Sequence, residues 1–281
     1  MTPHDETTHD REPIAISERE LTAMTAHLEA AHQATLPAMH DAVADWDERL
    51  RSENDPDELA EMRARFARPS RRGFLIGAGA TLGGLVLAAC SSNDKKSSGG
   101  SSTSNTKAAA NGGLATDLKI ASLAAALENT AVATYQAGID AATRGALGTV
   151  PPAIVTFATT VQKQHMDHAA AWNGIITGAG KPAVSGVDTT VNTGVVQPAF
   201  AQVTDVAGLA KLALSLEDVA AATYLSVIPV VSDPGGVKTV ATIQPVEMQH
   251  AAILNFVLGQ YPVPASFAKT DGARTLTDTI G

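Results

Sequence analysis

The sequence predicts an all-α fold, an antiparallel bundle of four helices assembled from two helix-pair repeats. Three observations predict it. Two short stretches each occur twice: Leu127-Glu128-Asn129-Thr130-Ala131-Val132-Ala133-Thr134-Tyr135 returns as Leu216-Glu217-Asp218-Val219-Ala220-Ala221-Ala222-Thr223-Tyr224, and Gln162-Lys163-Gln164-His165-Met166-Asp167-His168-Ala169-Ala170 returns as Gln244-Pro245-Val246-Glu247-Met248-Gln249-His250-Ala251-Ala252. Beyond Cys90 the chain has only three Glu and three His, and all six fall at matching positions of these repeats. Gly and Pro punctuate the Ala-, Leu- and Val-rich segments at helix-sized intervals.

The first helix is expected over 118–144, started by Thr116-Asp117 and ended by Gly145 and Gly148. Pro151-Pro152 opens the second, over 152–177, which Gly178 and Gly180 end. A long polar connection over 181–203 follows, with a little β-structure expected around Val191 to Val196. The third helix covers 205–228 with Thr204 as cap. Asp233-Pro234-Gly235-Gly236 reads as a turn before the fourth, over 237–259. Pro245 lies inside that helix, two residues before Glu247, where it removes a backbone hydrogen bond and bends the chain. Residues 263–281 read as an irregular tail.

Residues three apart share a helix face, so Glu247 and His250 point one way, as do His165 and His168. Glu128 and Glu217 each stand alone on an apolar helix, where a bare carboxylate is costly unless paired or metal-bound. A single Glu-x-x-His is a weak signal; six scarce residues in repeat register are a strong one. One Glu from each of two helices and Glu-x-x-His from each of two others is the ligand set of ferritin-like di-iron and di-manganese bundles. Residues 114–262 resemble that family. The resemblance implies a ferritin-like bundle with a long crossover between its second and third helices, holding iron or manganese. It places Glu128 and His168 at one metal position and Glu217 and His250 at the other, with Glu247 bridging.

The chain departs from the family pattern at His165, which stands where a second bridging Glu is expected and would take its place. Two divalent ions would then face three carboxylates instead of four, one positive charge richer, so dinuclear, mixed-metal and mononuclear sites all stay open. Tyr135 and Tyr224 follow their Glu by seven residues, two turns along one face. They read as core aromatics whose hydroxyls find partners or, more sharply, as residues that orient ligands, a role also assigned to Gln162 and Gln244. Trp172 reads as a packing residue.

Residues 1–61 form a polar extension that holds sixteen of the 29 acidic residues and five of the eight His. Ser17-x-x-Glu20 reads as a capping box that starts a helix with Leu21, Met24, Leu28 and Ala31 at helical spacing. Pro37 is expected to kink or end it, and Asp55-Pro56 to mark a turn before a second helical piece reaching about Phe66. Glu29-x-x-His32 matches ligand spacing but reads as a solvated face of a charged segment. Residues 62–89 resemble a twin-arginine signal peptide: Ser70-Arg71-Arg72-Gly73-Phe74-Leu75, then an uncharged run of sixteen residues from Phe74 to Ala89, short for a membrane span of about 20. Leu87-Ala88-Ala89-Cys90 resembles a bacterial lipobox. The resemblance implies export by the twin-arginine translocase, cleavage and lipidation at Cys90 by lipoprotein-processing enzymes, and anchoring to the outer face of the cytoplasmic membrane. The signal sits late in the chain. Either Met62 is the true start, or residues 1–61 are an extension lost on cleavage, which their helical patterning favours. Residues 90–113, rich in Ser and Gly, read as a flexible tether.

Cys90 is the only cysteine, which excludes a disulfide, a Cys-x-x-Cys iron site and a zinc-type cysteine cluster. No Gly-rich phosphate loop and no Gly-x-Ser-x-Gly occur. Residues 90–281 are nearly balanced in charge, so nucleic acid is not an expected partner. An oligomer is open; a closed iron-storing cage fits poorly with a lipidated tether. The family resemblance implies a metal-dependent oxidoreductase that oxidises Fe(II) or reduces oxygen or peroxide; the alternative is a non-enzymatic envelope protein with a degenerate site in a structural or metal-sequestering role.

Overall fold

The computed structural model describes residues 16–52, 103–265 and 267–275, with side chains for 16–48 and from 113 onward. Arg71, Arg72, Cys90 and the expected second helical piece lie outside the described residues. Seven α-helices occur in these residues: α1 (Glu18–Ser52), α2 (Thr103–Thr143), α3 (Pro152–Gly178), α4 (Thr189–Val191), α5 (Gln197–Phe200), α6 (Val206–Val227) and α7 (Pro234–Val257). The described residues hold no strand. Helices α2, α3, α6 and α7 make the antiparallel four-helix bundle: α2 packs along α3, α6 packs along α7, and α2 faces α6.

Several boundaries differ from the sequence reading. Helix α2 begins at Thr103, within the stretch expected to be a tether, so Asp117 lies inside the helix and is not its cap. The buried Asp117 carboxylate instead accepts from the backbone N–H of Ser232 and of Asp233, both at 2.9 Å, and so ties α2 to the α6–α7 turn. Helix α6 is capped by Asp205 and not by Thr204. The Asp205 carboxylate accepts from Gly208 N–H at 2.7 Å, a charge-assisted bond the threonine would not make. Asp233-Pro234-Gly235-Gly236 is itself the start of α7: Asp233 accepts from Gly235 and Gly236, and Pro234 occupies the first turn, where its missing N–H costs nothing. Helix α3 ends at Gly178, and Gly180 follows with φ 70°, a left-handed position that glycine adopts without strain.

The crossover contains no β-structure. Asp188 caps α4 through Val191 N–H, and the chain continues through a π-helical turn (Asn192–Val196) into α5. The Val-rich run is helical because Val191 and Val196 point into an apolar cluster with Leu123, Leu127, Leu212 and Leu216, a one-sided burial that a helical turn satisfies. Asn129 holds the connection by donating to the carbonyls of Val184 and Gly186.

The largest departure is α1. The capping box forms as read, with Ser17 Oγ accepting from Glu20 N–H at 3.2 Å and Glu20 accepting from Ser17 N–H at 3.2 Å. The helix then runs unbroken through Pro37 to Ser52. Pro37 is exposed, while Leu28 and His32 before it and Met39 and Ala42 after it are buried. Helix α1 lies against α3 and α7 as a fifth helix. It buries Leu21, Leu28, Met39, Ala42 and Trp46, and full burial of a large apolar side chain stabilises by roughly 1.5–3 kcal/mol. Gly236 makes room for Trp46: a Cβ there would meet two Trp46 ring carbons at 3.0 Å.

Two apolar clusters result. One joins Trp46, Ile120, Trp172, Tyr224 and Ile243; the other joins Leu21, Leu28, Phe157, Val161, Ala213 and Leu254. Along each of α2, α3, α6 and α7 the functional residues fall between positions belonging to these clusters, so the bundle carries one polar layer between two apolar ones.

Candidate metal centre

That polar layer contains all six sequence-derived residues. Glu128 (α2), His165 and His168 (α3), Glu217 (α6), Glu247 and His250 (α7) are each at most 2 % exposed. They form two overlapping donor sets: Glu128, His165, His168 and Glu247 in one, and His165, Glu217, Glu247 and His250 in the other. Within each set one ligand atom per residue lies within 4.8 Å of the rest. His165 and Glu247 belong to both. The three-residue spacing on α3 and on α7 sets each pair on one face, and the repeat places the two lone glutamates opposite them.

His165 sits between the two lone glutamates: its Nδ1 lies 2.7 Å from Glu128 Oε2 and its Nε2 lies 3.3 Å from Glu217 Oε1. His168 Nδ1 lies 2.9 Å from Glu247 Oε1 and 3.6 Å from Glu128 Oε2. His250 Nδ1 lies 3.2 Å from Glu217 Oε2 and 3.5 Å from Glu247 Oε2. Both Glu247 oxygens and His168 Nδ1 are buried without hydrogen-bond geometry to any partner among the described residues. Buried carboxylate oxygens left this way cost free energy unless a cation meets them. The donor set, three carboxylates and three imidazoles, suits iron or manganese. On both counts the residues fit a metal.

Electrostatics couples the six. Burial alone would raise the Glu128 carboxyl, but His168 and His165 beside it bring its pKa down to about 2. Burial would lower His168, yet Glu128 and Glu247 lift it to about 9. His165 is raised well above the ordinary imidazole range by Glu217, Glu247 and Glu128 against the opposing effect of burial, and His250 is raised chiefly by Glu217. Glu217 is held well below the carboxylate range by His165 and His250 despite burial. With no metal, the raised imidazoles can carry positive charge against these carboxylates.

The tyrosines act across the repeats. Tyr135, seven residues after Glu128, donates to Glu217 Oε1 at 2.6 Å; Tyr224, seven residues after Glu217, donates to Glu128 Oε1. Each hydroxyl occupies one oxygen of the opposite repeat's glutamate and so orients the carboxylate. Burial, together with the adjacent glutamate, holds both phenols well above their ordinary range, so they remain donors. Trp172 packs as expected and also donates from its indole to Tyr224 Oη at 2.8 Å.

Two sequence assignments are corrected. Gln162 does not reach the centre: its amide donates to Val132 O and to Gln136 Oε1 on α2. Gln244 is half-buried and hydrogen-bonds to none of the six among the described residues. The glutamine that touches a candidate ligand is Gln164, fully buried, whose Oε1 lies 2.8 Å from His250 Nε2. Nor is Glu29-x-x-His32 a solvated face. His32 is 3 % exposed, its Nε2 lies 3.3 Å from Asp167 Oδ2, and its ring centroid is 5.4 Å from that of His168. Glu29 accepts from Gln164 Nε2 at 2.8 Å. The ligand-like spacing on α1 was the signal for this contact, masked by the charged residues around it.

The ferritin-like domain family model matches residues 116–260, and the chain belongs to that family. Among curated proteins and among solved structures nothing matches it.

Proposed function

We propose that the protein binds two metal ions, iron or manganese, in the polar layer of its bundle and uses them as an oxidoreductase centre. The observation that carries this reading is the pair of overlapping donor sets sharing Glu247 and His165. Glu128 and His168 would hold one ion and Glu217 and His250 the other, with Glu247 shared between the two donor sets. His165 takes the place of a second bridging carboxylate. A redox-active pair held there would supply the two electrons that, with two protons, take peroxide to two waters. Tyr135 and Tyr224 keep Glu217 and Glu128 turned toward the ions, and the apolar clusters above and below exclude water.

The test is anaerobic loading of the full chain with Fe(II) or Mn(II), a count of bound ions, and then exposure to oxygen or peroxide. Two ions per chain and rapid oxidation support the reading; loss of both ions in Glu247→Ala assigns the bridge. One slowly reacting ion supports a sequestering role. A specific observation favours a second, non-enzymatic reading: three imidazoles poised for protonation balance three carboxylates without metal. Complete failure to bind metal establishes that reading in place of the first.

The placement we propose, export by the twin-arginine route and lipid anchoring at Cys90, rests on the sequence of residues 70–90 alone. Cleavage before Cys90 would break the covalent link between α1 and the bundle, so the five-helix arrangement described above is that of the uncut chain. Mass spectrometry of membrane-extracted protein distinguishes a chain beginning at lipidated Cys90 from an uncut one.

A further inference from the structure

Helix α1 reaches the centre at one polar position. Glu29 Oε2 accepts from Gln164 Nε2 at 2.8 Å, and Gln164 Oε1 lies 2.8 Å from His250 Nε2. The other Glu29 oxygen accepts from Gln33 Nε2 at 2.9 Å, one turn along the same helix, which holds the carboxylate in place. A carboxylate oxygen only accepts, so the NH2 of Gln164 must face Glu29 and its carbonyl must face His250. A carbonyl also only accepts, so the proton on His250 is fixed at Nε2. When His250 is neutral its lone pair is then at Nδ1, the nitrogen that points to Glu217 and Glu247.

We propose that Glu29, on the N-terminal helix, is a positioning residue of the metal centre: through Gln164 it sets the tautomer and ring orientation of His250. The centre is thus completed by a fifth helix outside the four-helix repeat. The relay serves one side only. In the repeat, Gln164 corresponds to Val246, so no equivalent amide stands beside His168, whose ring meets His32 instead. The two metal positions therefore differ, and the His250 position is the one that depends on α1. This inference rests on the metal-binding reading above.

The experiment uses the full chain and three variants. Glu29→Lys replaces an acceptor by a donor. Gln164 then turns its carbonyl to the lysine and its NH2 to His250, which must accept at Nε2 and carry its proton on Nδ1, where it blocks ligation. Glu29→Ala leaves Gln164 unanchored and covers the case in which the lysine variant fails to fold. Leu28→Ala removes packing next door and leaves the relay alone. The probes are Co(II) titration followed by visible absorption, and nitrogen–proton correlation spectra of the imidazoles in Zn(II)-loaded protein.

In the wild type the His250 proton is expected on Nε2, protected from exchange. In Glu29→Lys that signal is lost, and affinity at one of two cobalt positions falls roughly 10–100-fold, the usual effect of losing such a partner, while the other position holds. Glu29→Ala shows faster exchange of the same proton and a smaller loss at the same position. Leu28→Ala lowers thermal stability but leaves the Nε2 signal and both affinities unchanged. Equal cobalt affinities and an unchanged His250 signal in a folded Glu29→Lys or Glu29→Ala chain overturn the relay. Failure of the wild-type chain to take up either ion overturns the metal-centre reading on which it rests.

Discussion

Metal uptake by this centre is expected to tighten as the pH rises from 7 to 9. A metal takes imidazole as a neutral ligand, so any proton on that nitrogen must leave first. Burial acts to lower His168, but Glu128 and Glu247 raise its pKa to about 9. At pH 7 its neutral form is therefore a minor species, on the order of 1 %, and displacing the proton costs about 3 kcal/mol. From this group alone, apparent affinity at the Glu128–His168 position gains about tenfold per pH unit between 7 and 9, and then levels off. His250 and His165, also raised, steepen the slope.

The metal-free protein runs the other way. A histidine whose folded pKa is raised stabilises the fold fully below its ordinary value of 6.5, and that contribution is lost as the pH climbs through about 9. The loss is about 3 kcal/mol at most. The depression of Glu128 to about 2 expresses the same pairing from the acid side, present above 4.5 and lost as the pH falls through about 2, and is not counted again. The assay is Co(II) competition against a chelator of known pH dependence between pH 6.5 and 9.5, with proton release followed by an indicator dye and apo stability by thermal melting. A flat affinity between pH 7 and 9 with no protons released would refute the reasoning, because it would mean that the imidazoles enter the apo centre neutral.

Two further perturbations separate the site from its scaffold. His165→Glu restores the fourth carboxylate: two divalent ions should bind more tightly, while the metal-free chain loses stability because an imidazole between Glu128 and Glu217 gives way to a like charge; metal stoichiometry and apo melting temperature check both, and unchanged values would show that His165 does not sit between the glutamates. Gly236→Ala drives a methyl group against Val231 at 2.7 Å and the Trp46 ring at 3.0 Å, costing about 1–3 kcal/mol; hydrogen exchange should then quicken along α1 ahead of the bundle, and uniform protection would argue that α1 does not dock through Trp46.

The bundle was largely legible because its signals are local. Helical periodicity, Asp and Pro at starts and Gly at ends gave the four main helices, although which residue caps was decided by geometry: Asp117 found the α6–α7 turn to bind, and Asp205 outcompeted Thr204. The Val-rich crossover was misread because β-branched residues favour strands only where a sheet exists to receive them; here two valines meet a leucine cluster on one side.

The six central residues were legible for a different reason. Scarce charged residues in an apolar repeat can be buried only if they meet, so their register alone announces a common site. What the chain does not carry locally is the identity of neighbours from distant helices. Gln162, one turn from His165, was the glutamine of this helix assigned to the centre, yet α2 offers it a backbone carbonyl, while Gln164 turns between α7 and α1. The apolar stripe of α1 was visible, but the surface that receives it, formed by α3 and α7 and opened by Gly236, is assembled only on folding. The composition and spacing of the candidate ligands are thus properties of the chain, because each is set within a turn or two of helix. The tautomer of His250, the cross-repeat tyrosines and the docking of the fifth helix are properties of the fold, because each needs two or three segments far apart in sequence to arrive at one place.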